Sequence, residues 1–103
     1  MWWRSYALQQ RQESQAACQR AKDYFQQAIA FFQQAEREDL VSKFINYKAE
    51  VLHRLSQWQE LKQICHQALP LHQTQGDLFR QARTYGFLAE VALAKADPTT
   101  AQQ

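Results

Sequence analysis

The sequence predicts an all-α domain, and three observations carry the expectation. Apolar residues recur at spacings of three and four throughout, the period of one face of an α-helix. Only two glycines and two prolines occur, which leaves almost no turn chemistry for β-hairpins and argues against a sandwich, a barrel or a glycine-rich phosphate loop. The 103 residues are 46% hydrophobic and 21% charged, the balance of one soluble folded domain, and long enough to bury a core without staples.

Trp2 to about Gln12 reads as a first helix, set off by a weak break at Glu13-Ser14-Gln15, although one helix running through that break also fits the pattern. Ala17 to Ala35 carries the clearest stripe, with Ala17, Ala21, Tyr24, Phe25, Ala28 and Phe32 at helical spacing. A third helix runs through Leu40, Phe44, Tyr47, Val51 and Leu55 and stops at Ser56. Ser56 and Gln59 have the spacing of a capping box, in which the hydroxyl accepts from the third backbone N–H while the glutamine reaches back. A fourth helix is therefore expected through Trp58, Leu61, Ile64, Cys65, Ala68 and Leu69. Pro70 cannot donate to the carbonyl of His66, so that helix should kink or loosen near its end. Gly76-Asp77 is a stop and a start, glycine taking the left-handed position and Asp77 capping a fifth helix through Phe79, Tyr85, Leu88, Ala89, Val91 and Leu93. Asp97-Pro98 opens a sixth helix, of which Thr99 to Gln103 remain.

Composition bounds function as well. The formal net charge of +2 is too mild to imply nucleic acid. No stretch approaches the roughly 20 apolar residues that span a bilayer, and Arg4 followed by glutamines stands where a signal peptide would carry its apolar run, so a cytoplasmic protein is expected. Cys18 and Cys65 are too few for a disulfide framework or a metal knuckle. The glutamine pairs Gln9-Gln10, Gln26-Gln27 and Gln33-Gln34 are interrupted by regularly spaced apolar residues and read as solvated helix faces.

No catalytic constellation emerges. Cys65 and His66 are neighbours in sequence and point about 100° apart on a helix, so they cannot act as nucleophile and base. His53, His66 and His72 lack the spacing of a helical metal pair and read as solvated side chains. Glu50 and Glu90 lie on equivalent positions of adjacent first helices, where stacked units would set them about 10 Å apart, so an acid–base pair is not expected. Neither enzyme activity, cofactor nor metal is expected.

Sliding the chain against itself at forty residues aligns Ala49-Glu50-Val51 with Ala89-Glu90-Val91, and Gln27-Ala28-Ile29 with Gln67-Ala68-Leu69. The physical content is a helix–turn–helix unit used about two and a half times, whose members stack because none can bury its face alone. The units run about 1–37, 38–76 and 77–103, the last incomplete.

These residues resemble the tetratricopeptide repeat. Tyr85, Leu88 and Ala89 match the large, leucine and small positions of its first helix, and Ala21, Phe25 and Ala28 match the alanine–aromatic–alanine pattern of its second. In the middle unit Ile45, Lys48 and Ala49 are followed by Leu61, Cys65 and Ala68, with Lys48 and Cys65 as departures; Cys65 takes the buried aromatic slot as a small hydrophobe. The small residues stand where two helices cross and larger side chains would force the axes apart. The period exceeds the family's usual ~34 residues, and such long variants are similar to repeats of bacterial regulatory and scaffold proteins.

The resemblance implies an α–α superhelix of stacked antiparallel hairpins, about five helices in all, whose first helices line a concave groove that takes a protein or peptide partner. The matching positions are Lys43, Asn46, Glu50, His53 and Arg54, continued by Arg83, Glu90 and Leu93 and begun by Trp3, Tyr6 and Gln10. Lys43 and Arg83 fall on one position of successive units, with Asn46 beside them, and could hold a carboxylate. Gly86 lies on the groove side, where a missing side chain would let a partner approach. Trp2, Trp3 and Tyr6 read equally as an interface hot spot or as packing over the first helix pair. The fifth helix presents an apolar stripe whose cover is cut short, which suggests a homo-oligomer or part of a longer array. The rival reading, from another class, is a small helical-bundle assembly factor or structural subunit that works by homodimerising.

Overall fold

A computed structural model describes the backbone of residues 2–96 and the side chains of residues 5–96. Among these residues lie four helices in chain order: α1 (Trp2–Gln34), α2 (Glu38–Arg54), α3 (Trp58–Thr74) and α4 (Leu78–Ala96). The all-α class holds, but the number expected from the sequence was five. The first two expected helices are one, because α1 passes straight through Glu13-Ser14-Gln15. That segment contains neither glycine nor proline, and a lone serine costs a helix only about half a kcal/mol. The 52 Å long dimension of the molecule matches the 33 residues of α1 at a rise of about 1.5 Å each. The expected sixth helix at Asp97-Pro98 lies outside the described residues.

The three interhelix turns share one geometry. Glu36, Ser56 and Gly76 have φ of 58°, 55° and 65°, all left-handed, and they stand twenty residues apart. At each turn the left-handed residue's N–H reaches the carbonyl three back and the next N–H reaches the carbonyl five back: Glu36 to Gln33 and Arg37 to Phe32, Ser56 to His53 and Gln57 to Leu52, Gly76 to Gln73 and Asp77 to His72, at 2.9–3.1 Å. This is the Schellman closure, which satisfies the last orphan carbonyls of each helix. Ser56 is therefore a C-terminal turn residue and not the N-cap of a capping box; the N-cap of α3 is Gln57, which makes no side-chain capping bond. The expected cap at Asp77 does form, its Oδ1 accepting from the Arg80 N–H at 2.9 Å. α3 runs on through Pro70 to Thr74. Both Pro70 and His66, whose carbonyl loses its partner, are exposed, so water can replace the missing bond.

Each helix packs on the next, and α2 also meets α4. The core draws on Ile29 of α1, Val41, Ile45, Ala49 and Leu52 of α2, Leu61, Ile64, Cys65 and Ala68 of α3, and Phe87 and Val91 of α4. α2 is clasped on two sides, since Phe25 and Phe32 of α1 stack on Phe44 at 6.0 and 5.1 Å while Ser42 and Leu52 are sealed from solvent. The Ser42 side chain, at the start of α2, lies 2.6 Å from Nδ1 of His72, at the end of α3, which shows that the two helices run antiparallel.

Among the repeat positions, Ala49, Leu61, Cys65 and Ala68 are buried, and Ala21, Phe25, Ala28 and Leu88 are half-buried. Tyr85 and Ala89, whose match to a first helix was the clearest, are exposed instead. No helix is long and apolar enough to cross a membrane among the described residues.

Candidate functional site

The face shared by α2 and α4 gathers most of the polar residues singled out in the sequence. Glu50 and His53 of α2 stand beside Arg83 and Glu90 of α4, where an Arg–Glu ion pair and a histidine–glutamate contact cross between the helices. Arg83 Nη2 is 3.4 Å from Glu50 Oε1, and His53 Nε2 is 2.5 Å from Glu90 Oε2. The Arg83 guanidinium also lies over the ring of Phe87 at 5.6 Å, and the His53 ring is 5.6 Å from the same phenyl. Arg83 is thus already matched by a carboxylate and an aromatic face. Its charge supports the helix pair, so the expected capture of a carboxylate by Lys43 and Arg83 would have to compete with Glu50. Lys43 stands over the Tyr47 ring at 6.0 Å, and Arg54, about three turns further along α2, is exposed. Asn46 is buried and its Oδ1 has no hydrogen-bond partner, which removes it from the solvent-facing surface where it was expected.

Two hollows open on this face. One, of about 350 Å³, is lined by Arg83, Gly86, Phe87 and Glu90; the other, of about 270 Å³, lies between α1 and α2 and is lined by Ala21, Phe25, Tyr47, Glu50, Val51 and Arg54. A Cβ on Gly86 would meet nothing within 4 Å beyond its chain neighbours, so the position opens on free space at the edge of this hollow. Leu93 continues the exposed side of α4. Tyr6 is exposed on the far N-terminal part of α1, with Gln10 Nε2 donating to its hydroxyl at 2.8 Å. The Trp3 and Trp2 side chains lie outside the described residues.

Two features escaped the sequence reading. The first is His72, expected to be solvated but wholly buried; burial holds its pKa below the ordinary histidine value, and its Nε2 has no partner. A histidine at the end of an amphipathic helix carries no mark of burial in sequence, because only the serine on the facing helix makes the position habitable. His53, likewise expected in solvent, is paired with Glu90. Ser42 and His72 are sealed from solvent together, so no substrate can reach the hydroxyl. Burial also pushes the Cys65 thiol up to about 11, which suits a packing role.

The second is a polar trough over α2 between α1 and α3, about 270 Å³, walled by Gln26, Gln33, Gln63 and Gln67. Lys48 lies in it, donating to Gln26 Oε1 at 2.6 Å, and burial lowers its pKa. Lys22 of α1 bridges to Gln57 at 3.0 Å and Glu60 at 3.6 Å. Here the glutamine-rich faces contribute to tertiary contacts rather than to solvation alone. No group of three histidine, cysteine or acidic side chains that could hold a metal occurs among the described residues. No family model, curated protein or solved structure matches this chain.

Proposed function

We propose that this chain is a non-catalytic interaction module that binds a protein or peptide partner across the α2–α4 face. The observation that carries the reading is the hollow at Gly86, where Phe87 forms an apolar floor inside a rim of charged residues that are already paired with one another. Paired rim charges keep the helices in register and need no counter-charge from a ligand. An apolar anchor entering the hollow would pack on the small exposed edge of Phe87, which is otherwise buried in the core, and leave a polar rim around it. The fit is to a peptide that offers one bulky apolar side chain flanked by backbone or polar groups. The resemblance to tetratricopeptide repeats, in which first helices line a concave groove, supports the same face.

Gly86→Leu tests this without disturbing the ion pairs. A peptide library displayed on phage should yield sequences with a common apolar anchor that bind the wild type and lose binding to the variant. Selected peptides that bind both forms equally, or a failure to enrich any sequence, would remove the site. The structural reading, a subunit that works through self-association, is favoured by a different surface on α4.

A further inference from the structure

The forty-residue register relates a buried interface inside the molecule to two uncovered faces at its ends. Within the domain, α2 presents Ser42, Ile45, Ala49 and Leu52 to α3, and each is buried. α3 answers with Leu61, Ile64, Ala68 and Leu71, where Ile64 shares a hollow with Ile45 and Leu52, and Leu71 shares another with Val41. Forty residues after the α2 set stand Ala82, Tyr85, Ala89 and Ala92 of α4, all exposed. Forty residues before the α3 set stand Ala21, Tyr24, Ala28 and Phe31 of α1, where Tyr24 and Phe31 are 69% and 68% exposed and Ala21 and Ala28, at the edge of the side packed on α2, are half-buried. Among the described residues, α4 therefore carries an α2-type face that no helix covers, and α1 an α3-type face that is exposed at its two aromatic side chains.

The geometry points to head-to-tail self-association, in which α4 of one copy packs antiparallel on α1 of the next and repeats the α2–α3 contact between molecules. Continued along the antiparallel helices at helical spacing, the Ser42–His72 contact aligns Ile45 with Ala68 and Ala49 with Ile64 in register. Carried over by forty residues, the same pairing brings Tyr85 of one copy against Ala28 of the next, and Ala89 against Tyr24. In these two pairs large meets small, as close helix packing favours. The α4 face contains no charged side chain along this line, so nothing must be desolvated without a partner. Because the two faces differ, the contact is heterologous and adds copies in a line or closes a ring. This surface is separate from the α2–α4 hollow and stands or falls independently of the peptide site.

Sedimentation velocity on the full chain, from micromolar to submillimolar concentration, should show mass rising above the 12.1 kDa monomer. Ala89→Glu on α4 and Tyr24→Glu on α1 alter exposed residues, so circular dichroism should find their helix content unchanged. Each variant alone should lose association by roughly a hundredfold or more, since each would bury an unpaired carboxylate. Mixed together they should form a one-to-one heterodimer and nothing larger, because the first keeps an intact α1 face and the second an intact α4 face. A wild type that stays monomeric throughout overturns the proposal. So does a mixture of variants that fails to pair, and so does association that Ala89→Glu removes while Tyr24→Glu leaves it intact, the mark of a symmetric α4–α4 dimer.

Discussion

The three left-handed turns allow backbone conformation to be separated from side-chain contact. Glu36 and Ser56 are exposed and hold φ near 60° with a side chain attached, whereas Gly76 holds it without one. An L-residue there pays about 1–2 kcal/mol relative to right-handed conformations, while glycine adds about 0.4–1 kcal/mol of extra freedom to the unfolded chain, so the net gain from glycine is about 0.5–1.5 kcal/mol per turn. Glu36→Gly and Ser56→Gly should each stabilise the fold by that amount. Gly76→Ala should destabilise it by as much, and since a Cβ at Gly76 meets nothing within 4 Å the loss would be purely conformational. In a domain of this size, 1 kcal/mol moves Tm by about 4–8 °C, well within reach of calorimetry or urea denaturation. The turns share no partners, so the double variant Glu36→Gly/Ser56→Gly should approach the sum of the two gains. A neutral Gly76→Ala, or a Ser56→Gly that lowers Tm, would refute the conformational reasoning.

Stability should also depend on pH through His72. Its folded pKa is depressed, so the unfolded chain binds the proton more tightly; stability is fully present above about pH 6.5 and falls as pH drops below it, with a slope limited to about 1.4 kcal/mol per pH unit for one proton. Urea titrations between pH 5 and about 8 should show that slope in the wild type. His72→Leu should flatten it, and His66→Asn, at an exposed site, should leave it unchanged. Leu52→Ala removes a fully buried side chain between α1 and α3 and should cost about 2–5 kcal/mol in chemical denaturation, whereas half-buried Phe25→Ala should cost less than the 3–5 kcal/mol of a fully buried aromatic. Gly86→Ala fills open space in a helix interior and should raise stability by about 0.8–1 kcal/mol; a loss would mean that the backbone there is not relaxed.

Much of the candidate site was legible because the register places positions before any contact is known. Glu50, His53, Arg83 and Glu90 do meet on one face, as aligning the two units suggests. What the register could not say is that they meet each other. Whether a charged side chain awaits a ligand or is already satisfied depends on the distance between two helices, and that distance is set by the small and large residues beneath them. Asn46 shows the same limit: a polar residue one turn from Lys43 reads as surface, yet the clasp of α2 by its neighbours draws it inside.

The sequence by itself determined that the protein is all-helical, where α2, α3 and α4 lie, and that Gly76 and Asp77 end one helix and begin the next. These are local properties, fixed by apolar spacing and by residues whose own backbone preferences match the turn. Only the tertiary structure decided that α1 is continuous, that Glu36 and Ser56 enter left-handed turns against their preference, and that His72 is buried. Each of those carries a local cost of no more than about 3 kcal/mol, less than several interior side chains together gain by burial, and packing therefore decides it. The same contest explains the uncovered stripes. An apolar stripe in sequence marks a face that can be buried, but only the fold reveals which faces the domain covers and which it leaves exposed.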